Sequence, residues 1–174
     1  MSAVHVKPHH YEARITWTGA SEGATVSYAA YSRDWLAEVP AKAPLHGSAD
    51  RLYRGNMRLH NPEDLLVIAL STCHLLWYLH LCADAGIAVV GYVDDARGTM
   101  TPHEGKVRFT EVVLRPQVTI ASGDAELALA LHEKAHAECY VANSVNFPVR
   151  HEASVEIGGP STSAHRAYAQ DDKR

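Results

Sequence analysis

The stretch that decides the fold is 61-NPEDLLVIALSTCHLLWYLHLCADAG-86, which is almost wholly apolar and yet carries Cys73 near its centre. Its ends show the signals of a long helix. Asn61 suits the N-cap, Pro62 suits the first helical position, and the two acidic residues that follow favour the positive end of the helix dipole. Gly86 is typical of the residue just beyond a helix. The sequence therefore predicts one long helix with a thiol inside it.

A helix that is apolar on nearly every side cannot bury all of its faces against one sheet. The segment 65–81 has only 17 residues and contains His74 and His80, so it is too short and too polar for a bilayer. A second copy of the chain is the natural cover for the remaining face. The sequence predicts a homodimer and no membrane association.

Composition narrows the class of protein. The chain has 174 residues and a net charge of -4 without a basic run, which argues against nucleic-acid binding. Its first twenty residues lack the apolar core of a signal peptide, and its three cysteines indicate a reducing compartment rather than a disulfide framework. We expect a cytoplasmic protein with a single domain over residues 1–157 and a disordered tail over 158–174.

The rest of the chain alternates strand patterns with one further helix. A second helix is predicted from Asp124 to about Cys139, and residues 37–60 read as a long loop with room for one short strand. Five stretches read as strands, at residues 12–17, 24–31, 88–100, 106–120 and 149–157. The first two are joined by the turn-rich TGASEG, which predicts a hairpin. The order ββ-α-ββ-α-β predicts an α+β fold with antiparallel sheet around a central apolar helix.

The three cysteines fall into two groups. Cys82 lies nine positions after Cys73, about 900° of helical rotation, so it faces the opposite side and is expected to be a core residue. Cys73 and Cys139 can meet if the two helices cross. Packing alone would explain a buried cysteine, but His132, His136 and Cys139 share one face of the second helix with several alanines, which could place imidazoles beside two thiols.

Two motifs resemble those of a known family. NPEDLL followed by ALSTC, which ends at Cys73, and the later AHAECYVANSV, which carries Cys139, resemble the two cysteine elements of the OsmC/Ohr family, the osmotically inducible and organic hydroperoxide resistance proteins. The likeness runs from about Glu12 to Ile157. The resemblance implies an OsmC-like, intertwined α+β homodimer with two active sites at the subunit interface. In one departure, Tyr140 follows the second cysteine where proline is common in the family.

The resemblance also implies an activity. Characterised members are thiol peroxidases that reduce organic hydroperoxides, and some take electrons from dihydrolipoyl groups. Carried over, Cys73 would attack the peroxide as a thiolate and become a sulfenic acid, and Cys139 would condense with it to form a disulfide. An external dithiol would then reduce that disulfide. No cofactor is expected.

The family's carboxylate and arginine have candidates in this chain. Glu63 is implied as the carboxylate that positions the arginine, for which Arg33, Arg54 and Arg58 compete and Arg33 is preferred. Glu63 and Cys73 are ten residues apart on one helix, about 15 Å. We therefore expect Glu63 to serve the site of the partner protomer.

Two readings without peroxidase turnover remain open. A zinc site would use four residues of the ligand types that zinc prefers, Cys73, His74, His136 and Cys139. His74, however, points about 100° away from Cys73 on a helix. A protein that only binds a small apolar ligand would line its cavity with His74, Trp77 and Tyr78.

Overall fold

The computed structural model of the chain describes residues 7–159. The chain divides into two compact units, Met1–Leu65 and Leu66–Arg174. Gly158 and Gly159 apart, the predicted tail lies outside the described residues. The single domain over residues 1–157 stays a prediction.

The first unit contains a three-stranded antiparallel sheet. Its strands are β1 (Arg14–Trp17), β2 (Trp35–Glu38) and β3 (Leu45–Gly47), in that order. β1 and the short strand within the long loop are confirmed. A 3-10 turn over Arg51–Tyr53 follows.

The predicted strand at residues 24–31 and its hairpin are wrong, because β1 pairs with β2 instead. The guanidinium of Arg33 donates hydrogen bonds to the backbone carbonyls of Tyr28 and Tyr31. Those carbonyls are therefore taken by a side chain rather than by a strand ladder, and the segment folds as turns.

The long helix α1 (Pro62–Asp84) has the predicted ends. The side chain of Asn61 accepts a hydrogen bond from the backbone N–H of Asp64 at 2.8 Å, and the Asp64 carboxylate accepts one from the backbone N–H of Asn61 at 3.2 Å. This reciprocal pair satisfies two backbone donors at once. Beyond the helix, Gly86 has a φ of 71°, a conformation that glycine adopts without steric cost.

The second unit packs two mixed sheets with a second helix, α2 (Ala125–Glu138), which confirms the predicted helix and is capped by the side chain of Asp124. Its strands are β4 (Ala88–Asp94), β5 (Arg97–His103), β6 (Lys106–Leu114), β7 (Pro116–Ser122), β8 (Val149–His151) and β9 (Ser154–Ile157). One sheet has the order β4-β7-β9 and the other β5-β6-β8. The α+β class is confirmed, but β8 and β9 pair in parallel with β6 and β7, so neither sheet is purely antiparallel.

Each of the last three predicted strands is two strands. The chain passes from one sheet to the other at residues 95–96, at Arg115 and at residues 152–153. At the second passage the Asp94 carboxylate accepts the backbone N–H of Arg115 at 2.6 Å, and Pro116 has no N–H to donate. Each passage is only one or two residues long, so the sequence reads as one strand.

Two apolar clusters in the second unit hold α1 in place. One joins α1 and α2 to the β4-β7-β9 sheet. Its buried residues include Tyr78, Leu81, Val118 and Ile120. The other centres on Leu70 and the strand β6. Only 28% of the most apolar 18-residue window of α1 is buried. By length and composition α1 could cross a membrane, a criterion that core helices also meet.

Candidate thiol site

Two thiols meet where the middle of α1 lies beside the end of α2. The Cys73 side chain is half-buried, Cys139 is 1% exposed, and both are free thiols. Burial, followed by a hydrogen bond with Cys73, raises the pKa of Cys139 to about 11. The structure therefore brings together one thiol with access to solvent and one that stays protonated at neutral pH.

The loop after α2 fixes the position of Cys139. The backbone N–H of Ala142 donates to its sulfur at 3.4 Å. The side-chain amide of Asn143 donates to the Cys139 carbonyl at 3.0 Å, and the Ser144 hydroxyl donates to the Tyr140 carbonyl at 2.7 Å. These bonds hold the loop in a chain where Tyr140, and not a proline, follows the cysteine.

Cys82 lies outside this pair, as predicted from its position on the helix. It is fully buried in the cluster that contains Tyr78 and Ile120. Burial raises the pKa of the Cys82 thiol, so it has neither the exposure nor the charge state of a reactive thiol.

A cluster of histidines occupies the other side of α1. His74 and His132 are both fully buried, and Nε2 of His74 lies 2.9 Å from Nδ1 of His132. The ring of Tyr78 stacks on that of His132 at 3.9 Å between centroids. His74 thus points to α2 through the core, whereas the preceding Cys73 points to the other thiol.

Two further histidines border this pair. The His151 ring on β8 lies 5.6 Å from the His74 ring and 5.9 Å from the His136 ring. Nε2 of His151 lies 3.4 Å from the exposed carboxylate of Glu133. The sequence placed His132 and His136 on one face of α2 but missed His151, because strand alternation gives the side of a residue and not its neighbours.

The two buried imidazoles are neutral at pH 7. Burial, with smaller contributions from neighbouring histidines, lowers the pKa of His74 to about 4 and that of His132 to about 3. His74 Nδ1 and His132 Nε2 have no hydrogen-bond partner in the described part of the chain. Protonation of either ring in the core would therefore be costly.

The residues of the zinc reading do not gather around one point. Cys73 meets Cys139, whereas His74 meets His132. Across residues 7–159 no group of three or more His, Cys, Asp or Glu side chains is arranged to hold a metal ion.

The carboxylate and the arginines lie in the first unit. Glu63 is half-buried in the first turn of α1. The Arg33 guanidinium lies over the Tyr28 and Tyr31 rings, 4.6 and 3.9 Å from their centroids, and binds two carbonyls as described above. Arg54 and Arg58 are exposed. The role of Glu63 and the choice among the arginines stay predictions.

The family model and the solved structure that match this chain are both described as OsmC-like. A family model described as OsmC-like protein matches residues 55–154. An OsmC-like protein of unknown function from Vibrio cholerae has 30% identity and a TM-score of 0.78, with 84% of this chain and 99% of that chain covered. No curated protein matches the chain.

Two more distant structures share the fold. An organic hydroperoxide resistance protein from Legionella pneumophila has 19% identity and a TM-score of 0.60, over 87% of this chain and 99% of that chain. Another from Elizabethkingia anophelis has 18% identity and a TM-score of 0.60, over 87% of this chain and 100% of that chain.

Proposed function

The chain belongs to the OsmC-like protein family, and from that membership we propose that it is a cysteine-dependent peroxidase that reduces organic hydroperoxides. The observation that carries this proposal is the contact between a half-buried thiol, Cys73, and a buried one, Cys139. A reactive thiol needs access to its substrate, and a resolving thiol needs only access to the first sulfur.

The two thiols react one after the other. The Cys73 thiolate attacks the terminal oxygen of the hydroperoxide, the O–O bond breaks, and the alkoxide takes a proton and leaves as an alcohol. Cys73 is now a sulfenic acid. Cys139 loses its proton and attacks the Cys73 sulfur, water leaves, and a disulfide remains. Each cycle passes two electrons from the thiols to the peroxide.

The raised pKa of Cys139 supports this division of roles. A thiol with a pKa of about 11 is almost fully protonated at pH 7, so it does not compete for the peroxide. It reacts only when a sulfenic acid forms on the neighbouring Cys73. An external dithiol, such as a protein-bound dihydrolipoyl group, then reduces the disulfide, in keeping with a cytoplasmic location.

The active unit in this proposal is an intertwined homodimer with α1 at its centre. Ile68, Leu76 and Leu79 on α1 are exposed within one chain, and an exposed apolar face of this kind marks an interaction surface. Glu63 of one protomer would then serve Cys73 of the other and orient an arginine, with Arg33 preferred over Arg54 and Arg58. A monomeric mass in solution would contradict this arrangement.

Mass spectrometry of the reduced protein after one equivalent of cumene hydroperoxide tests the chemistry. We expect a Cys73–Cys139 disulfide with Cys82 still free. Cys139→Ser should leave a sulfenic acid on Cys73 that dimedone traps, and Cys82→Ala is the matched control that should still form the disulfide. Unchanged thiols in the wild-type protein would overturn the peroxidase and favour a protein that binds a small apolar ligand without turnover.

A further inference from the structure

The helix α2 meets the core through a face of mostly small residues. Its buried side chains are those of Ala128, His132 and Ala135. The two alanines lie one turn before and one turn after His132, and they pack in the cluster that contains Tyr78. The ridges of side chains that set the rotation and register of two packed helices are shallow where the residues are alanine. The large buried side chain of this face is that of His132.

A directional bond joins this side chain to α1. Nδ1 of His132 lies 2.9 Å from Nε2 of His74, and one ring donates to the other. The second nitrogen of each ring has no hydrogen-bond partner among residues 7–159. Those two atoms have lost their hydrogen bonds to water, so the pair costs stability relative to two apolar side chains. A polar contact that costs stability in a core can still fix the register of two helices.

The same face of α2 leads to the second thiol. Cys139 lies seven residues after His132, which is two turns and about 10 Å along the helix axis. A rotation of α2 by about 10° around the contact with His74 would therefore move this end by about 2 Å. Two cysteines cannot form a disulfide when their Cα atoms are more than about 7 Å apart. A small change in the angle of α2 thus decides whether Cys139 reaches Cys73.

We propose that the buried pair of His74 and His132 positions the resolving thiol, because it fixes the rotation and register of α2 against α1 and so holds Cys139 at Cys73. This inference rests on the proposed peroxidase function and adds two positioning residues to it. Neither imidazole takes part in the bond changes. The pair should affect the attack of Cys139 on the sulfenic acid and not the attack of Cys73 on the peroxide, since Cys73 lies on α1 itself.

The double variant His74→Leu/His132→Leu tests this role, because it removes both partners and leaves neither imidazole unpaired. After rapid mixing with cumene hydroperoxide, the Cys73 thiol should disappear at the wild-type rate. The disulfide with Cys139 should form more slowly by about tenfold or more. Mass spectrometry of samples quenched with an alkylating reagent follows both steps. The thermal midpoint should be no lower than that of the wild-type protein, because two apolar side chains replace a poorly satisfied polar pair.

Two further variants separate positioning from packing. Asparagine carries its amide at the place of the imidazole Nδ1, so His132→Asn should keep the bond to His74 and a disulfide rate within about threefold of the wild type. His103→Leu removes an exposed histidine of the β5–β6 hairpin and should change neither rate. An unchanged disulfide rate in the double variant would overturn the proposal. Equal slowing of both steps with a lower thermal midpoint would also overturn it, since a purely structural role gives that result.

An equilibrium with glutathione keeps the test independent of peroxide. In mixtures of reduced and oxidised glutathione, the fraction of Cys73–Cys139 disulfide measures how well the fold holds the two thiols together. In the double variant we expect the equilibrium constant for this disulfide to fall about tenfold, or about 30 mV. A wild-type protein that forms the disulfide here but reduces no hydroperoxide would refute the peroxidase, and the shift in the double variant would still decide the positioning role. Equal equilibria in the two proteins, or no disulfide in the wild type, would overturn that role.

Discussion

The thiol pair and the histidine pair are one residue apart on α1 and have opposite surroundings. Cys73 is half-buried and meets Cys139, whereas His74 is fully buried and meets His132. The histidine pair joins α1 to α2, and the thiol pair joins α1 to the residue just beyond the end of α2. The thiol pair is partly open to solvent at Cys73, and the histidine pair is enclosed by core residues such as Tyr78.

The difference follows from the rotation of about 100° per residue in a helix. A histidine next to a cysteine in the sequence suggests a base that activates the thiol, but these two side chains serve different faces. Burial then sets the chemistry. Burial keeps the Cys139 thiol protonated, and burial likewise keeps the His74 imidazole neutral. Residue type alone would not separate a reactive face from a structural one.

The largest change in activity is expected when Cys73 is replaced. Cys73→Ser should lower kcat/KM for cumene hydroperoxide by on the order of 10³ or more, because a hydroxyl is a far weaker nucleophile at neutral pH. A coupled assay with a dithiol reductant measures the rate. His74→Leu, one residue away, should retain turnover. Equal losses in both variants would show that the two faces act as one site.

Acid should affect the histidine face and spare the thiol face. The pKa values of His74 and His132 are lowered to about 4 and about 3, so the unfolded chain binds protons more readily. Stability is then fully present above pH 6.5 and is lost as the pH falls towards these values. For His74 the loss is on the order of 3 kcal/mol.

Urea unfolding at pH 7 and pH 4.5 measures this loss. The double variant His74→Leu/His132→Leu should lose much less stability between the two pH values than the wild-type protein does. A wild-type and a double variant with the same pH dependence would assign the acid sensitivity to other groups.

A smaller effect distinguishes the thiols themselves. At pH 7, iodoacetamide should alkylate Cys73 at least about tenfold faster than Cys139, because only the thiolate reacts and the Cys139 pKa of about 11 leaves little of it. Peptide mapping over a time course gives the rates. Faster labelling of Cys139 would reverse the roles assigned to the two cysteines.

The smallest change that we expect is a loss of stability at the start of α1, the helix that carries both pairs. Asn61→Ala removes one half of the reciprocal cap of α1 and should lower the free energy of unfolding by about 1 kcal/mol. Turnover and the pH dependence of stability should stay as in the wild-type protein. Thermal unfolding measures the change, and Asn146→Ala, at an exposed asparagine in the loop before β8, is a control for the loss of an asparagine outside the cap.

Local signals explain what the sequence predicted well. The ends of α1 depend on Asn61 and Gly86, which act within a few residues, and the core position of Cys82 follows from helical rotation alone. The failures depend on side-chain and tertiary contacts that the residue pattern does not show. No strand forms at 24–31, where the side chain of Arg33 binds two backbone carbonyls. The position of His151 beside His74 depends on where β8 joins its sheet. The meeting of the two thiols was anticipated through the family motifs, not through spacing.

The parallel pairings of β8 and β9 have a consequence for folding kinetics. Val112 pairs with Val149 in one sheet and Gln117 pairs with Ser154 in the other, and the Arg115–Glu152 ion pair between them spans the same 37 residues. The register does not slip where the chain changes sheets. A single loop closure, with α2 inside the loop, therefore aligns the last strand of both sheets. The entropy of closure is lost once rather than twice, so β8 and β9 should form in one cooperative step late in folding.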